Sequence, residues 1–189
     1  MKRWHILASL LFIAGAIGLG VSPARAATPT GLCMSNYAST CARINGQMVD
    51  AWPRDIRGDT NQQFTDGYIG QVASTNGRCW PFTCGDGLNA TYNNDSVWDF
   101  RQINTNNCIN VSGTQNQANL AACNIDNPAE WFVWTPTGAL INVYQSDYWG
   151  SPQYLVGKGA GQCKADYYQP LITLNTDACV STWVLANAT

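Results

Sequence analysis

Residues 108–134 read C-I-N-V-S-G from Cys108 to Gly113, then a polar tether to L-A-A-C ending at Cys123, then N-P-A-E-W-F-V-W from Asn127 to Trp134. The continuation T-P-T-G-A-L-I-N-V reaches Val143. Two cysteines bracket a short loop between runs of strand-forming residues. Asn127-Pro128 marks a turn. The aromatics Trp131, Phe132 and Trp134 follow, and Gly138 turns the chain into Leu140–Val143.

The same texture extends outward in both directions. Gly, Asn, Thr and Ser punctuate the chain at short intervals, leaving brief apolar stretches such as Met48–Trp52, Tyr68–Ala73, Val97–Phe100, Leu140–Tyr144 and Trp183–Ala186. Short strands at fairly even spacing, with turn signals between them, predict an all-β sandwich or barrel. No segment sustains a 3.6-residue apolar period over three turns.

The first 26 residues stand apart. Met1-Lys2-Arg3 is a cationic start, Leu7 to Val21 is almost wholly apolar, and Ala24-Arg25-Ala26 puts small residues where a signal peptidase reads them. The apolar run is shorter than the roughly 20 residues of a spanning helix. Cleavage after Ala26 is therefore expected, with a single exported domain over 27–189. Losing Lys2, Arg3 and Arg25 takes the formal charge from −2 to −5. The few remaining Lys and Arg form no basic run, so neither a nucleic acid nor an anionic membrane is an expected partner.

All eight cysteines lie beyond the leader. An even count in an exported chain points to a disulfide framework. They fall as close neighbours: Cys33 and Cys41, Cys79 and Cys84, Cys108 and Cys123, Cys163 and Cys179. Sequential pairing is the expectation, although eight cysteines admit many other pairings. Zinc is the weaker explanation, since there is no C-x-x-C pair and His5, in the leader, is the sole histidine.

Residues 108–142 resemble one repeat of the ricin B-type lectins, whose units read C-L-D-V-x-G, L-x-x-C, Q-x-W and a closing G-x-I or G-x-L. Cys108, Gly113, Leu120, Cys123, Gly138 and Leu140 match; Glu130 and Phe132 replace the Gln and Trp. In residues 31–70, Cys33 opens the resemblance, V-D-A-W follows at Val49–Trp52, and N-Q-Q-F at Asn61–Phe64 leads into Asp66-Gly67 and Ile69. The last segment offers Cys163, Leu171–Leu174, Cys179 and Trp183. The segment from Cys79 to Phe100 fits least, so four candidate segments compete for three places. The resemblance implies a β-trefoil stapled by local disulfides, with the two longer cysteine loops spaced like the family's intra-repeat bridge. It also implies that Phe64, Phe132 and Trp183 share one core.

Sites in that family use an Asp after the opening C-L, an aromatic after the medial apolar pair, and the Asn of N-Q-x-W. Sugars explain the choice: an aromatic covers their apolar face while planar acceptors and donors take the hydroxyls. By this resemblance the first segment offers Trp52 as platform, Asp50 and Asn61 as hydroxyl partners, Gln62 beside them, and Ser35 at the Asp position. Asn110 with Ala121, and Thr176 in the last segment, lack a stacking surface. Trp52 is equally readable as a half-buried strand residue, and Asn61 as a turn former. Tyr144, Tyr148, Trp149 and Tyr154 form either a second aromatic surface or ordinary packing, and their exposure decides between the two.

Catalytic signatures are missing from the mature sequence. Without histidine there is no Ser-His or Cys-His nucleophile, and no phosphate-cradling or dinucleotide glycine motif occurs. No cofactor, no metal and no enzymatic activity is expected. With the leader, the resemblance thus implies a secreted, non-catalytic carbohydrate-binding protein. The alternative is an exported structural or protein-binding (inhibitor) module on the same scaffold without sugar binding.

Overall fold

The computed structural model describes residues 30–35, 40–75, 78–112, 116–157, 169–174 and 180–187. The expected leader, Thr176, Cys163 and Cys179 lie outside them.

The chain is predominantly β, and its strands fall into three consecutive sets of four. The first set is β1 (Thr30–Met34), β2 (Thr40–Asn45), β3 (Met48–Pro53) and β4 (Phe64–Gln71). A short excursion follows, made of β5 (Ala73–Thr75), β6 (Arg78–Trp80) and helix α1 (Leu88–Thr91). The second set is β7 (Ser96–Gln102), β8 (Asn107–Asn110), β9 (Asn119–Ala122) and β10 (Phe132–Trp134). The third is β11 (Leu140–Asn142), β12 (Tyr154–Gly157), β13 (Gln169–Leu174) and β14 (Trp183–Asn187), with helix α2 (Val143–Trp149) after β11.

The pairing repeats with the sets. The second and third strands of each form an antiparallel hairpin: β2–β3, β8–β9 and β12–β13. The fourth strand of one set pairs with the first of the next, as β4–β7, β10–β11 and β14–β1. First and fourth strands also meet within the first two sets, through Thr30↔Phe64 and Phe132↔Trp98, and in the third the bridge Ala139↔Thr182 joins the residues just ahead of β11 and β14. These contacts close a ring of first and fourth strands. The three hairpins meet over it through β3–β13, β3–β9 and the bridge Gln117↔Ile172. Closure leaves the ring without an open edge.

Strand alternation explains the two cores. Phe64, Phe132 and Trp183, each the first residue of a fourth strand, are buried in one cluster with Leu32, Phe100 and Leu140. Trp183 satisfies its indole N–H on the Leu155 carbonyl, 3.0 Å away. Val97, Val133 and Ile141 point the other way, into a second cluster with Val72, Phe82 and Leu88. Residues 73–95 therefore cover one outer face of the ring. This resolves the competition among four segments: Cys79 to Leu88 belong to an insertion, and V-W-D-F opens the second set as part of β7.

Cys33–Cys41, Cys79–Cys84 and Cys108–Cys123 are disulfide-bonded. The strand expected over Leu140–Tyr144 ends at Asn142, whose side chain accepts the Gln145 N–H and starts α2 instead. That competition between a capping side chain and the ladder is characteristic of Asn.

Candidate functional site at the first hairpin

First- and second-strand pairings identify equivalent positions without reference to sequence similarity. Cys41 faces Cys33, Cys108 faces Arg101, and Tyr154 faces Ile141. Cys41, not Cys33, thus opens the hairpin of the first set. The position two residues on is Arg43, with Asn110 and Val156 in the other sets. Ser35 is displaced from that role: its backbone N–H and hydroxyl both bond Thr182, beside the start of β14. Across each hairpin, Cys41 pairs with Trp52, Cys108 with Ala121 and Tyr154 with Leu174. In the third set the residue in register with Tyr154 is Leu174.

Around the β2–β3 hairpin these positions converge. Gly46, at φ +63°, makes the left-handed turn that folds β3 back on β2. The Arg43 guanidinium then lies 3.9 Å from the centroid of the Trp52 ring. Its Nε donates to Asp59 Oδ2 at 2.6 Å. Asp59 in turn accepts the Asn61 N–H through Oδ1 at 3.0 Å, capping the 3-10 turn Thr60–Gln62. A stacked cation of this kind contributes about 0.5–2 kcal/mol, more as water is excluded. Arg43, Trp52, Asp59 and Asn61 are all partly exposed. Asn61 also receives a long contact, 3.5 Å, from Gln102 Nε2.

Asp50 and Gln62 lie beneath this surface. Asp50 is 4% exposed and accepts from Asn45 Nδ2 at 2.8 Å. Gln62 is fully buried; its Oε1 accepts the Asp55 N–H and its Nε2 donates to the Pro53 carbonyl, at 2.8 and 2.7 Å. Gln62 thereby holds the backbone just after Trp52. Arg43 is not legible as a site position while Cys33 opens the repeat; Cys41-Ala42-Arg43 is the alternative reading of the same stretch.

The second set has no such surface. Asn110 is buried with no partner for its Oδ1 among the described residues, and Ala121 offers no ring. Glu130 takes the place of Gln62, accepting the Asn124 N–H and the Asn127 amide, both at 2.9 Å.

Among the other aromatics, Tyr148 and Trp149 are 58% and 53% exposed and pack edge to face at 5.0 Å. They end α2, where Gly150 adopts the left-handed cap. Tyr144 is also exposed, whereas Tyr154 is half-buried with its hydroxyl 3.1 Å from that of Tyr92. Among the described residues no helix is long and apolar enough to cross a membrane.

No protein-family profile matches the chain, and no curated protein sequence does. Solved structures do. The Haemophilus ducreyi cytolethal distending toxin aligns with a TM-score of 0.53 at 15% identity, over 88% of this chain and 87% of that one. The agglutinin from Abrus precatorius gives 0.52 at 14% identity, over 84% of this chain and 47% of the agglutinin. A mosquitocidal holotoxin gives 0.56 at 10% identity over 85% of this chain, which spans only 16% of that toxin. At such identities the likeness is one of fold.

Proposed function

We propose that this chain is an exported, non-catalytic carbohydrate-binding module, a single β-trefoil domain over 27–189, with its sugar site on the β2–β3 hairpin. The trefoil reading is supported by the threefold recurrence of pairing and by the likeness to an agglutinin. Export is supported by the leader and by three disulfides.

The observation that carries the site is the grouping of Arg43, Trp52, Asp59 and Asn61. Stacking on Trp52 fixes the plane of the guanidinium, and one of its N–H groups is spent on Asp59. The rest are donors held in a fixed fork. Beside them stand carboxylate and amide acceptors and the indole. This set suits a neutral sugar, whose hydroxyls both donate and accept and whose ring carbons are apolar. Each hydroxyl exchanges water for protein, so the net gain per bond is small. Affinity near millimolar, about 4 kcal/mol, is expected for one such site.

Retention on immobilised-sugar columns tests this: Trp52→Ala should lose it and Trp149→Ala should keep it. Loss with Trp149→Ala alone would move the site to α2. Absence of retention by the wild type across a glycan array would sink the carbohydrate reading. The exposed Tyr148–Trp149 pair favours a second reading, an exported protein-binding or inhibitor module without sugar binding.

A further inference from the structure

The insertion at residues 73–95 does more than shield the ring's outer face. Where it meets the third set it leaves a cleft of about 520 Å³, bounded by Tyr92 and Asp95, by Pro136 in the β10–β11 turn, by Tyr154 and by Thr182 ahead of β14. The volume falls within the roughly 300–1,000 Å³ of small-molecule sites. None of the first-hairpin residues takes part in it.

Asp95 is the informative group. Its backbone is pinned on both sides: its N–H donates to the Tyr92 carbonyl and its carbonyl accepts the Val72 N–H, both at 2.9 Å. The side chain is thereby held at the cleft, yet its carboxylate has no hydrogen-bond or ion-pair partner among the described residues. Burial raises its pKa, and no attraction offsets that. No Lys or Arg lines the cleft among the described residues. A partly buried acceptor with no protein partner is open to a ligand's hydroxyls.

Its neighbours narrow the ligand. The Tyr92 and Tyr154 hydroxyls meet at 3.1 Å, so a phenol from the insertion and one from the third set join at the wall. Thr91 and Thr137 add exposed side chains at the rim. An anion would be repelled by Asp95. A purely apolar ligand would bury Asp95 without pairing it. A carboxylate accepting from adjacent hydroxyls, with aromatic rings for the C–H face, matches a polyhydroxylated ring.

We propose that the cleft between the insertion and the third set is a second carbohydrate site, binding one neutral sugar residue through Asp95, Tyr92 and Tyr154. The assignment rests on the carbohydrate-binding reading for its ligand class, but its location is independent of the first hairpin.

The test is an NMR titration of the full disulfide-bonded protein with methyl glucoside and methyl galactoside, with choline as a cationic control. At least one glycoside should shift the Asp95, Thr137 and Tyr154 resonances. Asp95→Asn should weaken this binding about tenfold or more, the scale of a lost charge-assisted bond. Thr137→Trp, an exposed change that fills the mouth, should abolish it, and Trp52→Ala should leave it intact. Folding of each variant is checked by its unchanged spectrum away from the cleft. Glycoside shifts confined to the β2–β3 hairpin would overturn the cleft site and leave the first-hairpin reading standing. A response to choline alone would make the cleft a cation site, and no glycoside response anywhere would remove both readings.

Discussion

At the residue scale, Gln62 and Glu130 show how one buried position accepts two chemistries. Gln62 needs a donor, because its Nε2 faces the Pro53 carbonyl, and an acceptor for the Asp55 N–H. Glu130 meets two donors, the Asn124 N–H and the Asn127 amide. The Asn127 amide is oriented by its own Oδ1, which accepts the Ala129 N–H, so it cannot flip without loss. Gln62→Glu should therefore set a carboxylate against a carbonyl, and Glu130→Gln should set donor against donor. Each swap should cost about 1–3 kcal/mol, measured as a shift in urea unfolding; a neutral outcome for both would show that these partners do not select the residue.

Asp147 supplies a pH-dependent counterpart. Burial raises its pKa above the ordinary 3.8, and bonds from Thr83 offset this only in part. A raised folded-state pKa means relative stability that is fully present below the unfolded value and lost as pH rises through the folded one. At neutral pH the ionised carboxylate therefore carries an unrelieved burial cost. Asp147→Asn keeps an acceptor for the Thr83 N–H at 2.7 Å and removes the charge. The variant should be the more stable protein at neutral pH, with its advantage shrinking in acid. Urea midpoints at the two pH values decide, and a variant less stable at neutral pH would contradict the account.

At the element scale, one buried amide organises the insertion. Asn89, on α1, is 3% exposed and brackets Phe82, accepting its N–H at 3.4 Å and donating to its carbonyl at 2.9 Å. Phe82 and Leu88 then pack on Val97, Val133 and Ile141 from the ring. Asn89→Ala leaves two buried backbone groups unpaired and should cost about 1–3 kcal/mol. Hydrogen exchange should quicken within residues 78–92 while β7 and β10 stay protected, because their ladder partners β4, β8 and β11 all lie outside the insertion. Equal loss of protection in β7 would show that insertion and ring unfold as one.

For the whole molecule, stability centres on the three aromatics that begin the fourth strands. Phe64, Phe132 and Trp183 are each almost fully buried and share one cluster, so truncating any one removes packing common to all three sets. Phe64→Ala, Phe132→Ala and Trp183→Ala should each cost about 3–5 kcal/mol, read from denaturant unfolding. Trp183→Ala should fall at the upper end, because it also strands the Leu155 carbonyl. A cost below about 1 kcal/mol at one position, well under the large-to-small range for core aromatics, would mean that its set adds little to the shared core.

Local chemistry in the sequence determined the strands, the near-neighbour cysteine pairs at 33–41, 79–84 and 108–123, and the buried aromatics, because alternation, turn residues and spacing act over a few positions. The unit boundaries were not legible. Cys33 and Cys41 are each followed by an apolar residue, Met34 and Ala42, and only the pairing Cys33↔Cys41 shows that the first ends a ring strand while the second opens a hairpin. That one choice moved the site position from Ser35 to Arg43, and with it the charge beside Trp52. The sequence likewise carried Tyr92 and Asp95, neighbours within the insertion, and Tyr154 on β12, but Tyr154 meets them only once the insertion folds onto the third set. Which side chains become neighbours across a closed sheet depends on register between strands far apart in the chain. No local pattern encodes that register; the tertiary structure decides it.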